Sequence, residues 1–413
     1  MLNPVAIGSY ISFLRRQRGL IQKELASRLG VSTQAVSKWE NADNLPDASM
    51  LLPLAEALHT TADALLSAGA RRLRQPIDMS TLHAGVAALD NVLAAFGEDS
   101  IIGQSIQRGL TSLGVSLENA AGRELLLAEA ILHHLMDGAT IDDPAINAAI
   151  QDEALRARIR KCRRDCALFA DKQQYYDDFR PGYPKAAVEL IRTRIAPNAV
   201  IADIGSGTGK LAVLLCSVVG KLYAIEPSIH MRRVLQARTA DIPQAEVIAA
   251  MAEATYLPDH SVDAVTVAEA CHWFNNQQAR REFLRILKPG GHVFLLRNRF
   301  IHNAYYDEML SIQKEYRTCT PAAQLGAAAC ADALFGPGNW ESYAFESTMH
   351  QTFEQFYGGM RSASYAPEAG TVAGKAYRAA VQDLFERYAR HGRISTHVET
   401  VCCIGQLCAS PNP

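Results

Sequence analysis

The chain has 413 residues, with 41 Lys and Arg against 43 Asp and Glu and a hydrophobic content of 48%. That balance excludes a disordered chain and one that coats nucleic acid by charge alone, and the length accommodates two or three domains with separate cores. No apolar run approaches the ~18–20 residues that cross a bilayer, and Met1-Leu-Asn-Pro-Val5 lacks the features of a secretory signal, so a cytoplasmic protein with no membrane partner is expected. Nine cysteines then belong to a reducing compartment. They show no Cys-x-x-Cys zinc spacing, so they read as small core residues and no metal site is expected.

Residues 1–70 open with short amphipathic helices. Leu25, Ala26 and Leu29 share one helical face, and Val36 and Trp39 share the next. Gly30 ends the first helix and Ser32 is a good N-cap for the second. A loop ending in Leu45-Pro-Asp47 precedes a closing helix with Leu51, Leu52, Leu54, Ala55 and Leu58, and Leu65-Leu66 packs under it. The run from Leu14 through Gly30 to Glu40 resembles the Cro/phage-repressor helix-turn-helix. This resemblance implies that the start of the second helix enters the major groove of a double-stranded DNA operator. Thr33, Gln34 and Lys38 are then the base-edge candidates, because Gln pairs with adenine and Lys reaches guanine. Gln22 is expected at a phosphate or base edge, and Arg15, Arg16 and Lys23 at phosphates. Residues 1–75 hold nine Lys and Arg against six Asp and Glu, a local basic excess in a chain of net charge −2. So small a surplus points to a homodimer. The alternative use of such a bundle is protein interaction.

Arg71-Arg-Leu-Arg-Gln-Pro76 reads as a linker, and residues 78–165 as a helical segment. Leu82, Val86, Leu89, Leu93 and Phe96 recur at helical spacing, as do Leu125, Leu126, Ile131, Leu132 and Leu135. Asp142-Asp143-Pro144 marks the start of another helix, expected to run through Glu153 and Arg160. His133 and His134 are adjacent, so their rings point apart and do not chelate one metal. Dimerisation or mechanical coupling is the expected role of this segment.

Residues 166–413 carry the chemistry. Val200-Ile-Ala-Asp-Ile204 is an apolar strand interrupted by one acid, followed by Gly205, Gly207 and Gly209 and then the buried-helix composition of Leu211-Ala-Val-Leu-Leu-Cys216. A strand, a glycine loop and a helix form the ligand cradle of an open α/β sheet. A dinucleotide fingerprint requires its third glycine where this chain has Lys210, and a P-loop requires Ser or Thr where it has Leu211. Lys221-Leu-Tyr-Ala-Ile-Glu226 is a second strand ending in an acid that can accept hydrogen bonds from two ribose hydroxyls. Asp203 to Gly209 resembles the Asp/Glu-x-Gly-x-Gly-x-Gly loop of class I S-adenosylmethionine-dependent methyltransferases, whose fold is a Rossmann-like seven-stranded α/β sheet. Ala252-Glu253 with Leu257-Pro258, Ser261–Val267 and Leu287-Lys-Pro-Gly-Gly291 resemble further segments of that family, in order. Ser342 to Thr352 and Arg393 to Gln406 read as its closing antiparallel hairpin. Phe179-Arg-Pro-Gly-Tyr-Pro184 and Ala268-Glu-Ala-Cys-His-Trp-Phe274 resemble the trans-aconitate methyltransferase-like group, with Asn275 and Met251 as departures.

The resemblance implies S-adenosyl-L-methionine as methyl donor and a small molecule as acceptor. Asp203 is expected to anchor the donor's amino end, while Gly205, Gly207 and Gly209 let the backbone approach and Glu226 holds the ribose. Ala252 and Glu253 lie along the adenine, and Tyr176 and Arg180 close over the donor carboxylate. His272 is the acid–base candidate. Tyr305, Trp340 and Tyr365 are candidate substrate walls. The DNA-methylating alternative fails, because the chain has no Pro-Cys dipeptide and no Asn/Asp-Pro-Pro-aromatic motif after the fourth strand. What stays open is a regulator that transfers methyl groups, or a transcription factor whose methyltransferase fold only senses a ligand.

Overall fold

Apolar and β-branched runs build the sheet, and amphipathic helices cover it or form bundles of their own. The computed structural model describes residues 4–18, 20–58, 60, 62–66, 76–97, 100–112, 115–117, 119–168, 181–318, 326–361, 363, 365–368 and 370–407. Tyr176, Arg180, the Arg16 side chain, Cys319, Cys408 and all but the last residue of the 71–76 linker lie outside the described residues. Two compact units divide the chain, one of residues 1–69, 170–226 and 230–413 and one of residues 70–169 with 227–229. Among the described residues no helix is long and apolar enough to cross a membrane.

The N-terminal bundle contains α1 (Pro4–Gln17), α2 (Gln22–Leu29), α3 (Thr33–Glu40), α4 (Ala48–Ala57) and α5 (Ala62–Leu66). Gly30 closes α2 at φ 67°, and the Ser32 hydroxyl accepts the Ala35 N–H at 3.1 Å to start α3. Ile7, Ile11, Leu25, Val36, Leu54, Leu58 and Leu65 fill the core. Beside that core lies an ionic network. Arg15 Nε and Nη2 donate to the two carboxylate oxygens of Glu40 at 2.5 and 2.8 Å, and Nη1 donates to the Leu20 carbonyl at 2.6 Å. Ser12 Oγ and Gln22 Nε2 also donate to Glu40, at 3.0 and 2.9 Å. Arg15 is only 6% exposed, which corrects its assignment as a phosphate contact. The physical reason is helical phase: Arg15 follows Ile7 and Ile11 at four-residue steps onto the inner face of α1.

The second unit contains α6 (Met79–Phe96), α7 (Ile101–Ser112), α8 (Ala120–Met136), α9 (Asp143–Ala149) and α10 (Glu153–Leu168). Side chains of Asp78, Asn119 and Asp142 cap α6, α8 and α9. Leu127, Ile131, Leu132 and Leu135 of α8 are buried, as are Ile146 and Ile159. Phe96, the last of the helically spaced apolar residues of α6, is 56% exposed. The helix expected to run from residue 142 through Arg160 is instead broken. Ile150 is extended and fully buried, and Glu124 accepts the Asp152 N–H at 3.1 Å.

The remaining helices are α11 (Lys185–Thr193), α12 (Lys210–Leu215), α13 (Ile229–Thr239), α14 (Asn276–Ile286), α15 (Ala304–Tyr316), α16 (Ala327–Phe335), α17 (Phe353–Arg361) and α18 (Val372–Tyr388). The strands are β1 (Val200–Ile204), β2 (Lys221–Ile225), β3 (Ala245–Ile248), β4 (Val262–Ala268), β5 (Leu287–Phe300), β6 (Trp340–Gln351) and β7 (Ile394–Gln406). Among the described residues they form one seven-stranded sheet, ordered β3-β2-β1-β4-β5-β7-β6, with β7 antiparallel to both neighbours and the rest parallel. This is the Rossmann-like methyltransferase sheet. Ala202, Ile204, Val265, Val267, Val293 and Leu295 pack on one face with α14 and α16, and Ile201, Leu222, Ala264, Phe294 and Leu296 on the other with α11 and α12. The β6–β7 pair expected as a hairpin is antiparallel, but α17 and α18 intervene and β7 inserts between β5 and β6. Removing one partner of a buried ion pair strands the other, at about 3–5 kcal/mol. Glu40→Ala should therefore destabilise the bundle by that order, read as faster hydrogen exchange across residues 4–66 in urea, with no change at β1–β5.

Candidate functional site

The switch in strand order falls at β1, which pairs β2 on one side and β4 on the other, so a crevice opens at their carboxyl ends. The glycine loop lies there. Gly205, Gly207 and Gly209 take φ values of 69°, 57° and 87°, which L-residues rarely adopt. An added Cβ at Gly205 would stand 2.5 Å from Ala270 Cβ, and one at Gly209 would stand 2.7 Å from Leu235 Cδ1. At Gly207 it would meet nothing within 4 Å. The loop is pinned by the end of β2. The N–H groups of Gly205 and Ser206 donate to the Ile225 carbonyl at 2.8 and 3.0 Å, and Gly207 N–H donates to Glu226 Oε2 at 2.8 Å.

Asp203 is 1% exposed. Thr266, its register partner on β4, donates to Oδ1 at 2.6 Å, whereas Oδ2 is buried with no hydrogen-bond partner. Burial pushes the Asp203 pKa up to about 6, against the pull of the Thr266 and Ser206 hydroxyls. A buried carboxylate oxygen in this condition suits a cationic or hydrogen-bond-donating ligand group. Glu226 is also buried and ends the neighbouring strand, where a carboxylate can accept from paired hydroxyls. The residues present therefore fit an aminoacyl nucleoside: an acid for the amino end, an acid for the ribose and open backbone between them.

Ala252 is buried and Glu253 half-buried in the loop after β3. Glu253 Oε1 accepts the Asn275 N–H at 2.7 Å, and Asn275 caps α14 through the Gln278 N–H at 3.3 Å. Asn thus serves at that position as an N-cap, a role it fills as well as Asp. Glu282 holds the same loop, accepting from Thr255 N and Oγ1 at 2.7 and 2.5 Å. His272 is half-buried in the 3-10 turn Cys271–Trp273, its ring 5.0 Å from that of Trp273. Ala270, two residues earlier, rests on Gly205, so the turn after β4 and the glycine loop meet.

Two of the expected substrate walls are engaged in packing. Tyr305 is buried among Phe356 and Tyr388 in the α15–α17–α18 core. Trp340 pairs with Gly405 at the level of Val293, and its indole N–H donates to Asp332 at 2.9 Å. Tyr365 donates its hydroxyl to Gln313 at 3.2 Å. Sequence reasoning missed Thr266, whose signal is one hydroxyl inside the Val-Asp-Ala-Val-Thr-Val run of β4. It also missed Glu282, and Glu269, a non-glycine residue at φ 55° whose carboxylate accepts the Asn298 N–H and lies 3.8 Å from Arg297. In the N-terminal bundle, Thr33, Gln34 and Lys38 are exposed on α3. Gln22 is half-buried, with its amide held by Glu40.

Residues 202–295 match the family model of a methyltransferase domain, and residues 11–65 match that of a helix-turn-helix. The chain is 37% identical over 137 residues to an uncharacterized methyltransferase of Mycobacterium tuberculosis, covering 33% of this chain and 54% of the relative. It is 31% identical over 162 residues to an uncharacterized methyltransferase-like protein of Schizosaccharomyces pombe, covering 38% of this chain and 62% of the relative. The chain thus spans about half to three-fifths of the length of these relatives.

The glycine contacts predict a division of effects. Gly205→Ala, which meets Ala270, should lower the thermal midpoint further than Gly207→Ala, whose main penalty is the left-handed backbone, about 1–2 kcal/mol. Asp203 predicts a pH dependence. Because its folded pKa lies above the ordinary 3.8, its contribution to stability is full below that value and is lost as pH rises through about 6. Relative to Asp203→Asn, the ligand-free wild type should lose stability between about pH 4 and pH 6 in urea titrations; a constant difference would refute this.

Proposed function

We propose that this chain, which carries a helix-turn-helix domain and a methyltransferase domain, transfers a methyl group from S-adenosyl-L-methionine to a small molecule and binds an operator in double-stranded DNA as a transcriptional regulator. One observation carries the reading: a left-handed glycine loop held between two buried strand-end acids, one of them with an orphaned oxygen. Bound donor supplies a methyl group already activated on a sulfonium. The protein's work is then alignment of the acceptor with the methyl carbon.

Asp203 Oδ2 takes the donor's amino group, and Glu226 exchanges or shares its Gly207 contact with the ribose hydroxyls. Ala252 and Glu253 line the adenine, with Glu253 already braced by Asn275. Tyr176 and Arg180 are assigned to the donor carboxylate from the sequence motif. His272 accepts a proton from an alcohol or amine acceptor, or orients a carboxylate acceptor that has none to lose. The small-molecule acceptors of the trans-aconitate methyltransferase-like group are the acceptor class this reading favours. Thr33, Gln34 and Lys38 face base edges, Gln22 and Arg16 belong to the DNA flank, and two copies of the bundle read two half-sites.

Titration calorimetry with S-adenosyl-L-methionine tests the donor site: binding is expected for wild type, weakened at least tenfold in Glu226→Ala. Affinity should rise as pH is raised through about 6, where Asp203 ionises, and Asp203→Asn should flatten that rise. Absence of binding by wild type would overturn the reading. Turnover with bound donor separates an enzyme from a ligand sensor built on the same fold. On an operator selected in vitro, Gln34→Ala should weaken binding by about 1–3 kcal/mol and relax preference at one base pair, measured by fluorescence anisotropy.

A further inference from the structure

We infer that Cys162 and Cys166, on the last turns of α10, form a two-thiolate site for a soft divalent cation of the zinc and cadmium type. The two residues are four apart and share one helical face, and their sulfurs lie 3.9 Å from each other with no disulfide between them. A disulfide would require sulfurs at about 2.05 Å and Cβ atoms about 3.5–4.5 Å apart. Residues i and i+4 of an intact helix hold their Cβ atoms about 5–6 Å apart, so that bond would need the turn unwound. A tetrahedral metal needs no such change. With metal–sulfur bonds of about 2.3 Å, the edge between two thiolates is about 3.8 Å, which matches the spacing found.

The Cys166 thiol donates to the Pro227 carbonyl oxygen at 3.9 Å, and that oxygen is the candidate for a third position once the thiol proton is released. Cys162 is 1% exposed and Cys166 half-buried, so the cation enters from the Cys166 side. Other pairs are poorer. Adjacent Cys402 and Cys403 point into opposite faces of the sheet, and Cys271 and Cys330 lie deep in its core. Among the described residues no group of three or more His, Cys, Asp or Glu is arranged to hold a metal ion. Water or a small exogenous thiol therefore completes the coordination, and the metal exchanges instead of supporting the fold. Binding forms two metal–sulfur bonds, releases two thiol protons to solvent and involves no change of oxidation state.

The experiment is a Cd2+ titration of the reduced full-length chain, followed by the ultraviolet thiolate-to-cadmium charge-transfer band. The expected result is saturation at one Cd2+ per chain in wild type and in Cys216→Ser, and loss of the band in Cys162→Ser and in Cys166→Ser. A band that persists in both of those variants, or none in wild type, would overturn the site. Cys162 is buried, so a serine there also puts the packing of α10 at risk; a second measurement on wild type alone separates the two effects. Cd2+ should slow alkylation of the half-buried Cys166 by iodoacetamide at least tenfold in peptide mass mapping, and an unchanged rate at this residue would refute the inference.

Discussion

Three left-handed glycines within five residues, held against the end of β2, are the constraint on which the crevice at the sheet's switch point depends. Side chains at Gly205 or Gly209 would collide with Ala270 and Leu235, so the loop can close only where no Cβ exists. Its N–H groups are then satisfied by the Ile225 carbonyl and the Glu226 carboxylate. These bonds exist because β1 and β2 run parallel with Ile204 level with Ile225, placing both strand ends at one height. The turn after β4 rests on the same loop through Ala270. Loop, acids and His272 turn are thus one packed unit.

The chain handles buried charge in two ways. In the N-terminal bundle, Glu40 accepts from Arg15, Ser12 and Gln22, and every Arg15 nitrogen has a partner. Such a network is fully compensated and holds α1, α2 and α3 in register. Asp203 is compensated on one oxygen only, and burial raises its pKa toward neutrality. A half-satisfied buried acid carries a desolvation cost that the fully paired Glu40 does not.

The loop after β3 shows how the crevice is shaped from a distance. Glu282 on α14 grips Thr255, while Glu253 reaches back to the N-terminus of the same helix. Two carboxylates crossing in opposite directions fix a segment that has little regular hydrogen bonding of its own. Glu269 performs a comparable task at the end of β4, where its left-handed backbone is offset by bonds to Leu296 and Asn298.

What the sequence determined by itself is local chemistry. The glycine spacing, the acids ending β1 and β2, the Gly30–Ser32 break and the apolar periodicity follow from backbone sterics and from side-chain period, which act over a few residues. They sufficed for the sheet, the helix-turn-helix and the acids of the crevice. Only the tertiary structure decided which polar residue faces which. Arg15 reads as a surface cation until Glu40, 25 residues on, is folded against it. Thr266 reads as one strand residue until the parallel register sets it beside Asp203, and Trp340 reads as a pocket wall until packing sets its indole N–H on Asp332. Partners distant in sequence are brought together by packing and register, and neither leaves a local periodic trace.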